Sequence, residues 1–115
     1  MADELTFEKY QKLAGRTAQY PGREEARVAP YPALGLAGEA GEVCEQVKKM
    51  IRDDGGRLTD TRRQALRKEL GDVLWYVAAV CAELNLEMSD VAAANIEKLA
   101  DRAERGVIGG DGDDR

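Results

Sequence analysis

Two short acidic pairs constrain this chain more than anything else in it: Glu39-Ala-Gly-Glu42 and Glu69-Leu-Gly-Asp72. Each sets two carboxylates three positions apart. Residues i and i+3 are neighbours on one face of a helix, with Cβ atoms about 5–6 Å apart. Two such helices laid side by side would bring four carboxylates to one spot. Four negative charges gathered there need a counter-charge, and hard divalent cations take oxygen ligands. The pairs therefore predict a helical bundle that holds Mg2+, or Mn2+ in its place, on Glu39, Glu42, Glu69 and Asp72. Magnesium in that setting points to phosphate chemistry.

Either pair alone is ordinarily a solvated edge beside an apolar stripe. Three details shift the balance. The pairs sit on neighbouring helical segments joined by a short connection, for which antiparallel packing is expected. Gly41 and Gly71 interrupt runs of good helix formers. A helix-interior glycine costs roughly 0.5–1 kcal/mol relative to alanine, which fits a close backbone approach or room for a ligand. Glu69 and Asp72 have no evident partner on their own helix beyond nearby Arg and Lys.

Periodicity places the pairs. A first helix is predicted over 3–19, and a loop from Tyr20 to Pro32, which holds all three prolines. A second helix is predicted from Pro32 to Arg52. There Leu36, Ala40, Val43, Val47 and Met50 share an arc of roughly 80°, with Glu39 and Glu42 at its edge. Asp53-Asp54-Gly55-Gly56 is a stop. A third helix is predicted from Thr59 as N-cap to Leu84, with a stripe of Leu66, Leu70, Val73, Val77, Val80, Cys81 and Leu84. Glu69, Asp72 and Tyr76 run beside it, and Trp75 lies nearer the outside, where an interface with another subunit is expected. A fourth helix is predicted from Ser89 or Asp90 to Arg105, with Asn95, Lys98 and Arg102 on one face and Gly106 as C-cap.

The 115 residues predict one all-α domain over 1–115, with a Gly/Asp-rich tail over 106–115. A net charge of −5 with no basic stripe argues against nucleic-acid binding. The chain has no histidine, which excludes Ser-His-Asp and Cys-His catalysis and most zinc sites. Cys44 and Cys81 read as free packing thiols. The longest apolar run, Val73 to Ala82, is too short to span a bilayer. With no signal-peptide pattern, a cytoplasmic location is expected.

The run Gly35-Leu36-Ala37-Gly38-Glu39-Ala40-Gly41-Glu42-Val43, followed by Lys68-Glu69-Leu70-Gly71-Asp72-Val73-Leu74-Trp75-Tyr76, resembles the MazG-type nucleoside triphosphate pyrophosphohydrolases of the all-α NTP pyrophosphohydrolase superfamily. That superfamily also includes dimeric dUTPases and phosphoribosyl-ATP pyrophosphatase. Its signature is an ExxE and an ExxD helix motif, matched here by Glu39 with Glu42 and by Glu69 with Asp72. Asn95-Ile96-Glu97-Lys98-Leu99, with Arg102, resembles the family's following helix. The tail from Arg105 through Gly110-Asp111-Gly112-Asp113 resembles a phage-like and bacterial subgroup. The likeness spans about residues 32–115. Many members carry a further Glu just before the first motif, where this chain has Gly38.

The resemblance implies a four-to-five-helix bundle, assembled as a homodimer or homotetramer. It implies Mg2+-dependent hydrolysis of a nucleoside triphosphate between the α and β phosphates, yielding a monophosphate and pyrophosphate in nucleotide-pool house-cleaning. Glu39 or Glu42 would take the proton of the attacking water. Asn95, Lys98 and Arg102 would contact phosphate or sugar, and Tyr76 would line the nucleotide pocket. Phe7, Tyr10 and Gln11 are candidates to reach the base. Two alternatives stay open: a catalytically silent metal-binding helical module, and a related pyrophosphatase acting on another phosphoanhydride. The tail either frays or folds over the site as a lid.

Overall fold

In a computed structural model that describes residues 4–115, the chain forms four helices and, among the described residues, no strand: α1 (Phe7–Gly15), α2 (Tyr31–Asp53), α3 (Asp60–Glu83) and α4 (Met88–Arg105). Local chemistry sets the boundaries. Thr6 and Thr59 cap α1 and α3, their hydroxyls accepting from the backbone N–H groups of Lys9 and Arg62 at 3.1 Å. Pro32, fully buried, sits in the first turn of α2, where its missing N–H is harmless. Gly106 ends α4 in the left-handed conformation at φ 73°. The first helix is shorter than expected, and its predicted start at residue 3 lies outside the described residues. The fourth starts at Met88, before Ser89 and Asp90, and neither of these caps it.

α2 and α3 form an antiparallel hairpin. Arg62 donates to Gln46 at 2.8 Å and to Asp54 at 2.9 Å near the turn. Tyr76 meets Gly35 at the far end, so the paired residues run in opposite directions. A Cβ at Gly35 would lie 2.1 Å from the Tyr76 ring, so this glycine lets the two helices close. Gly41 and Gly71 face open space and serve no close approach. The close approach that the sequence suggested at the acidic motifs occurs one turn away.

α1 packs on α3 and α4, while α2 packs on α3 alone. Ala78, Cys81 and Met88 form a small buried cluster, with Tyr10, Ala14 and Val77 against it. Gln11 clips the α3–α4 turn, its amide donating to Leu86 O at 3.0 Å and accepting from Met88 N at 2.9 Å. Trp75 does not face outward: its indole N–H donates to Thr17 at 3.0 Å and its ring sits edge-on to Tyr76. Cys81 is buried as expected, but Cys44 is exposed. No helix is long and apolar enough to cross a membrane among the described residues.

The proline-bearing connection is stapled by one carboxylate. Glu83 accepts from the Tyr20 hydroxyl at 2.5 Å and from Ala29 N at 2.7 Å. Tyr20 in turn stacks on Tyr31 at 5.9 Å. The hydrogen bonds from Tyr20 and Ala29 lower the Glu83 carboxyl below its usual range. Burial, then Glu83 itself, pushes the Tyr20 hydroxyl up to about 12, so it stays a donor. A depressed carboxyl stabilises the fold above its unfolded pKa and loses that contribution as pH falls through its folded value. Glu83→Ala is expected to cost about 1–3 kcal/mol at neutral pH, read as a lower urea midpoint. The gap to wild type should close as pH falls below about 4; a gap independent of pH would reject the staple.

Candidate metal centre

The α2–α3 register delivers three carboxylates to one place. Glu39 from α2 and Glu69 and Asp72 from α3 each offer an oxygen, and the three lie within 4.8 Å of one another. Glu39 and Glu69 are half-buried and Asp72 is exposed. Glu42 is not part of this group. Positions three apart differ by about 60° around a helix. Glu39 faces α3, while Glu42 lies further round on the exposed side. Its charge still reaches Glu39.

No Lys or Arg forms an ion pair with Glu39, Glu69 or Asp72 among the described residues; the bridges lie elsewhere on the surface. The strain of that arrangement falls on Glu39. Its carboxyl is raised first by loss of solvent, then by the charges of Asp72 and Glu69, and further by a hydrogen bond with Glu69. Three oxygen donors without a cationic side chain fit a hard divalent ion. An exposed Asp72 leaves such an ion open to solvent and substrate.

The surroundings set aromatic rings beside the carboxylates. Glu39, Asp72, Trp75 and Tyr76 line one open cleft. Tyr76 therefore stands where the sequence placed it, beside the carboxylates. Tyr10, from α1, lies close enough to Asp72 for that charge to raise its hydroxyl, though burial raises it more. Phe7 opens instead onto a groove with Leu5, Thr6, Tyr10 and Leu74.

The predicted phosphate-contacting residues on α4 divide. Asn95 is exposed. Lys98 and Arg102 share a partner, but it is Asp113 of the tail and none of the motif carboxylates. Arg102 is 4% exposed, far more buried than a solvated helix charge. The tail is folded, not frayed: Arg115 donates to the carbonyls of Val107 at 3.2 Å and Ile108 at 2.9 Å. Sequence reasoning missed Asp113 and Gly35. The terminal Arg115 after three closely spaced glycines was the available signal for the ordered tail. Gly35 carried no signal apart from its partner Tyr76.

Comparison with known proteins places this geometry. The MazG nucleotide pyrophosphohydrolase domain matches residues 32–107, which span both acidic motifs and α4. The Gene 37 protein of Mycobacterium phage L5 is 45% identical over 109 residues, covering 92% of this chain and 96% of that protein. No solved structure matches the chain.

A divalent ion on these carboxylates should stabilise the fold, by about 2.7 kcal/mol at 100 times its dissociation constant. Glu39→Gln is expected to lose most of that gain in a thermal melt. Because Glu39 is raised in the fold, it lowers metal-free stability as pH rises through the carboxyl range. The metal-free variant should therefore melt higher than metal-free wild type at neutral pH. An equal metal-induced rise in both proteins would remove Glu39 from the site.

Proposed function

The chain belongs to the MazG nucleotide pyrophosphohydrolase domain family, and we propose that it hydrolyses a nucleoside triphosphate, ribo or deoxy, between the α and β phosphates. The products are a nucleoside monophosphate and pyrophosphate, and Mg2+ is the working ion, with Mn2+ as a substitute. The observation that carries this reading is the meeting of Glu39, Glu69 and Asp72 beside an open cleft, with no Lys or Arg in an ion pair to them among the described residues. Such a site repels a bare polyphosphate and accepts one only with its cation.

Bound Mg2+ would offset the phosphate charge and lower the pKa of a water. The chain's own groups then divide the remaining work. Glu39, Glu69 and Asp72 hold the ion. Glu42, exposed and outside that group, is free to accept the water's proton as general base. Tyr76 and Trp75 form the wall of the cleft and position the nucleoside. Lys98 and Arg102 supply cations for the distal phosphates, Arg as a planar fork and Lys as a point charge. Asn95, on the same face of α4, donates to phosphate or sugar.

The test is a panel of common and non-standard nucleotides with Mg2+, pyrophosphate and orthophosphate being measured separately. Pyrophosphate release is expected, falling by about 10²-fold or more in Glu42→Gln and vanishing in Asp72→Asn. Orthophosphate alone would shift the reading to another phosphoanhydride bond. No turnover by folded, metal-binding protein would leave a silent helical module.

The working form we propose is a homo-oligomer, dimer or tetramer. A compact chain of this length has a radius of gyration near 13 Å, while this chain has 17.2 Å. Leu34, Ile51 and Ile96 are 65–70% exposed, and Leu70, in the predicted core stripe, is 52% exposed. Such surface asks for cover. Sedimentation equilibrium should return two or four times 12.6 kDa. A 12.6 kDa species at micromolar concentration would reject the assembly.

A further inference from the structure

Among the described residues Arg102 is the buried charged one, and its Nε has no hydrogen-bond partner there. Only its Nη2 reaches acceptors, the backbone carbonyl of Asp113 and the Asp113 carboxylate at 3.2 Å. Lys98 donates to the same carboxylate oxygen at 3.1 Å. One oxygen thus bridges an ammonium and a guanidinium, as a phosphoryl oxygen would. The burial is one-sided: the Arg102 side chain is 5% exposed and that of Asp113 is 82%. The cation belongs to the body of the protein, whereas its anion is wetted and comes from the end of the chain.

The strap that carries Asp113 has its own fastening. Gly106, Gly110 and Gly112 turn it with φ values of 73°, 111° and 83°. Arg115 gathers the carbonyls of Val107, Ile108 and Gly112. Arg105 holds the Arg115 carbonyl at 2.7 Å. Asp111 and Asp114 make no hydrogen bond or ion pair among the described residues, so Asp113 is the acidic side chain by which the strap meets α4, beside the Arg105 hold on Arg115. A turn closed on itself through Arg115 can leave Lys98 and Arg102 as a unit, hinging at Gly106.

We propose that Asp113 is a built-in competitor for a polyphosphate: the strap closes on Lys98 and Arg102, and the distal phosphates of a nucleoside triphosphate displace it. This rests on the pyrophosphohydrolase reading above. A polyphosphate brings more charge than one carboxylate and can engage the Nε that Asp113 leaves unpaired. Exchange therefore runs toward the ligand when a triphosphate is present, and back to the strap once pyrophosphate has left. A monophosphate, with less charge to offer, displaces the strap poorly. The device thus favours long phosphate chains over short ones.

The probe is inorganic tripolyphosphate, titrated into the full chain in Mg2+ buffer, with amide hydrogen exchange followed over residues 107–115. Asp113→Asn is expected to tighten its binding about three- to tenfold, the scale of removing one like charge some 4 Å away in water-like surroundings. Asp111→Asn should bind as wild type does. In wild type, tripolyphosphate should speed exchange across the strap. Slower exchange would mean that the strap closes over the ligand, and would overturn the proposal. So would an Asp113→Asn protein that binds no more tightly than wild type, or an absence of any binding. None of these readouts needs turnover. Should no nucleotide release pyrophosphate, the pyrophosphohydrolase reading fails by itself, visibly apart from the strap.

Discussion

The antiparallel contact between α2 and α3 is the constraint on which the rest depends. Its closest point is Gly35 against the Tyr76 ring, where an added Cβ would sit 2.1 Å away. That contact fixes both the distance between the helices and their register. Once Gly35 faces Tyr76, Glu39 falls opposite Asp72, each one helical turn along its own axis, and Glu69 lies a further turn along α3 on the same face. The carboxylate cluster is thus a consequence of helix packing, and its oxygens need no loop to assemble them. Sites built on helices hold their geometry better than sites built on loops.

This packing has an electrostatic cost that the chain bears locally. Glu39 loses solvent and also feels the charges of Asp72 and Glu69, so it holds its proton more tightly. Elsewhere the same chain is careful with charge. Glu83 is satisfied twice, by Tyr20 and Ala29, and Arg62 pairs with Asp54 at 2.9 Å. The contrast separates the acidic centre from ordinary surface acidity: carboxylates that serve the fold have donors, and those at the centre have one another.

Much of this was legible in the sequence because it is local. Thr59, Pro32 and Gly106 mark helix ends through chemistry that acts within a turn. The ExxE and ExxD spacings put carboxylates on helix faces. What the sequence hid depends on which helix face meets which. Glu39 and Glu42 look equivalent in the motif, and only the α3 contact separates them by their angle around α2. Gly35 looks like any glycine until Tyr76 is known to lie against it. Trp75 looks outward when its helix is taken alone, and Thr17, just beyond the end of α1, accepts from its indole. Gln11 looked available for a ligand, yet two backbone groups of the α3–α4 turn consume it.

The apolar stripe of α3 carries the argument one step further. Its period is sound, yet Leu70 remains half exposed while Ala78 and Cys81 are buried. The reason is geometric. α2 covers one flank of α3, and α1 with α4 covers only its C-terminal end. The acidic motifs lie at the edge of that cover, where Tyr10 of α1 still reaches Asp72. A continuous stripe that one chain covers only in part leaves its acidic half at a boundary. Whatever covers Leu70 and Leu74 will stand beside Asp72 as well. Burial there would dry the carboxylates and strengthen their grip on a cation, which would couple cover of the stripe to cover of the acidic group.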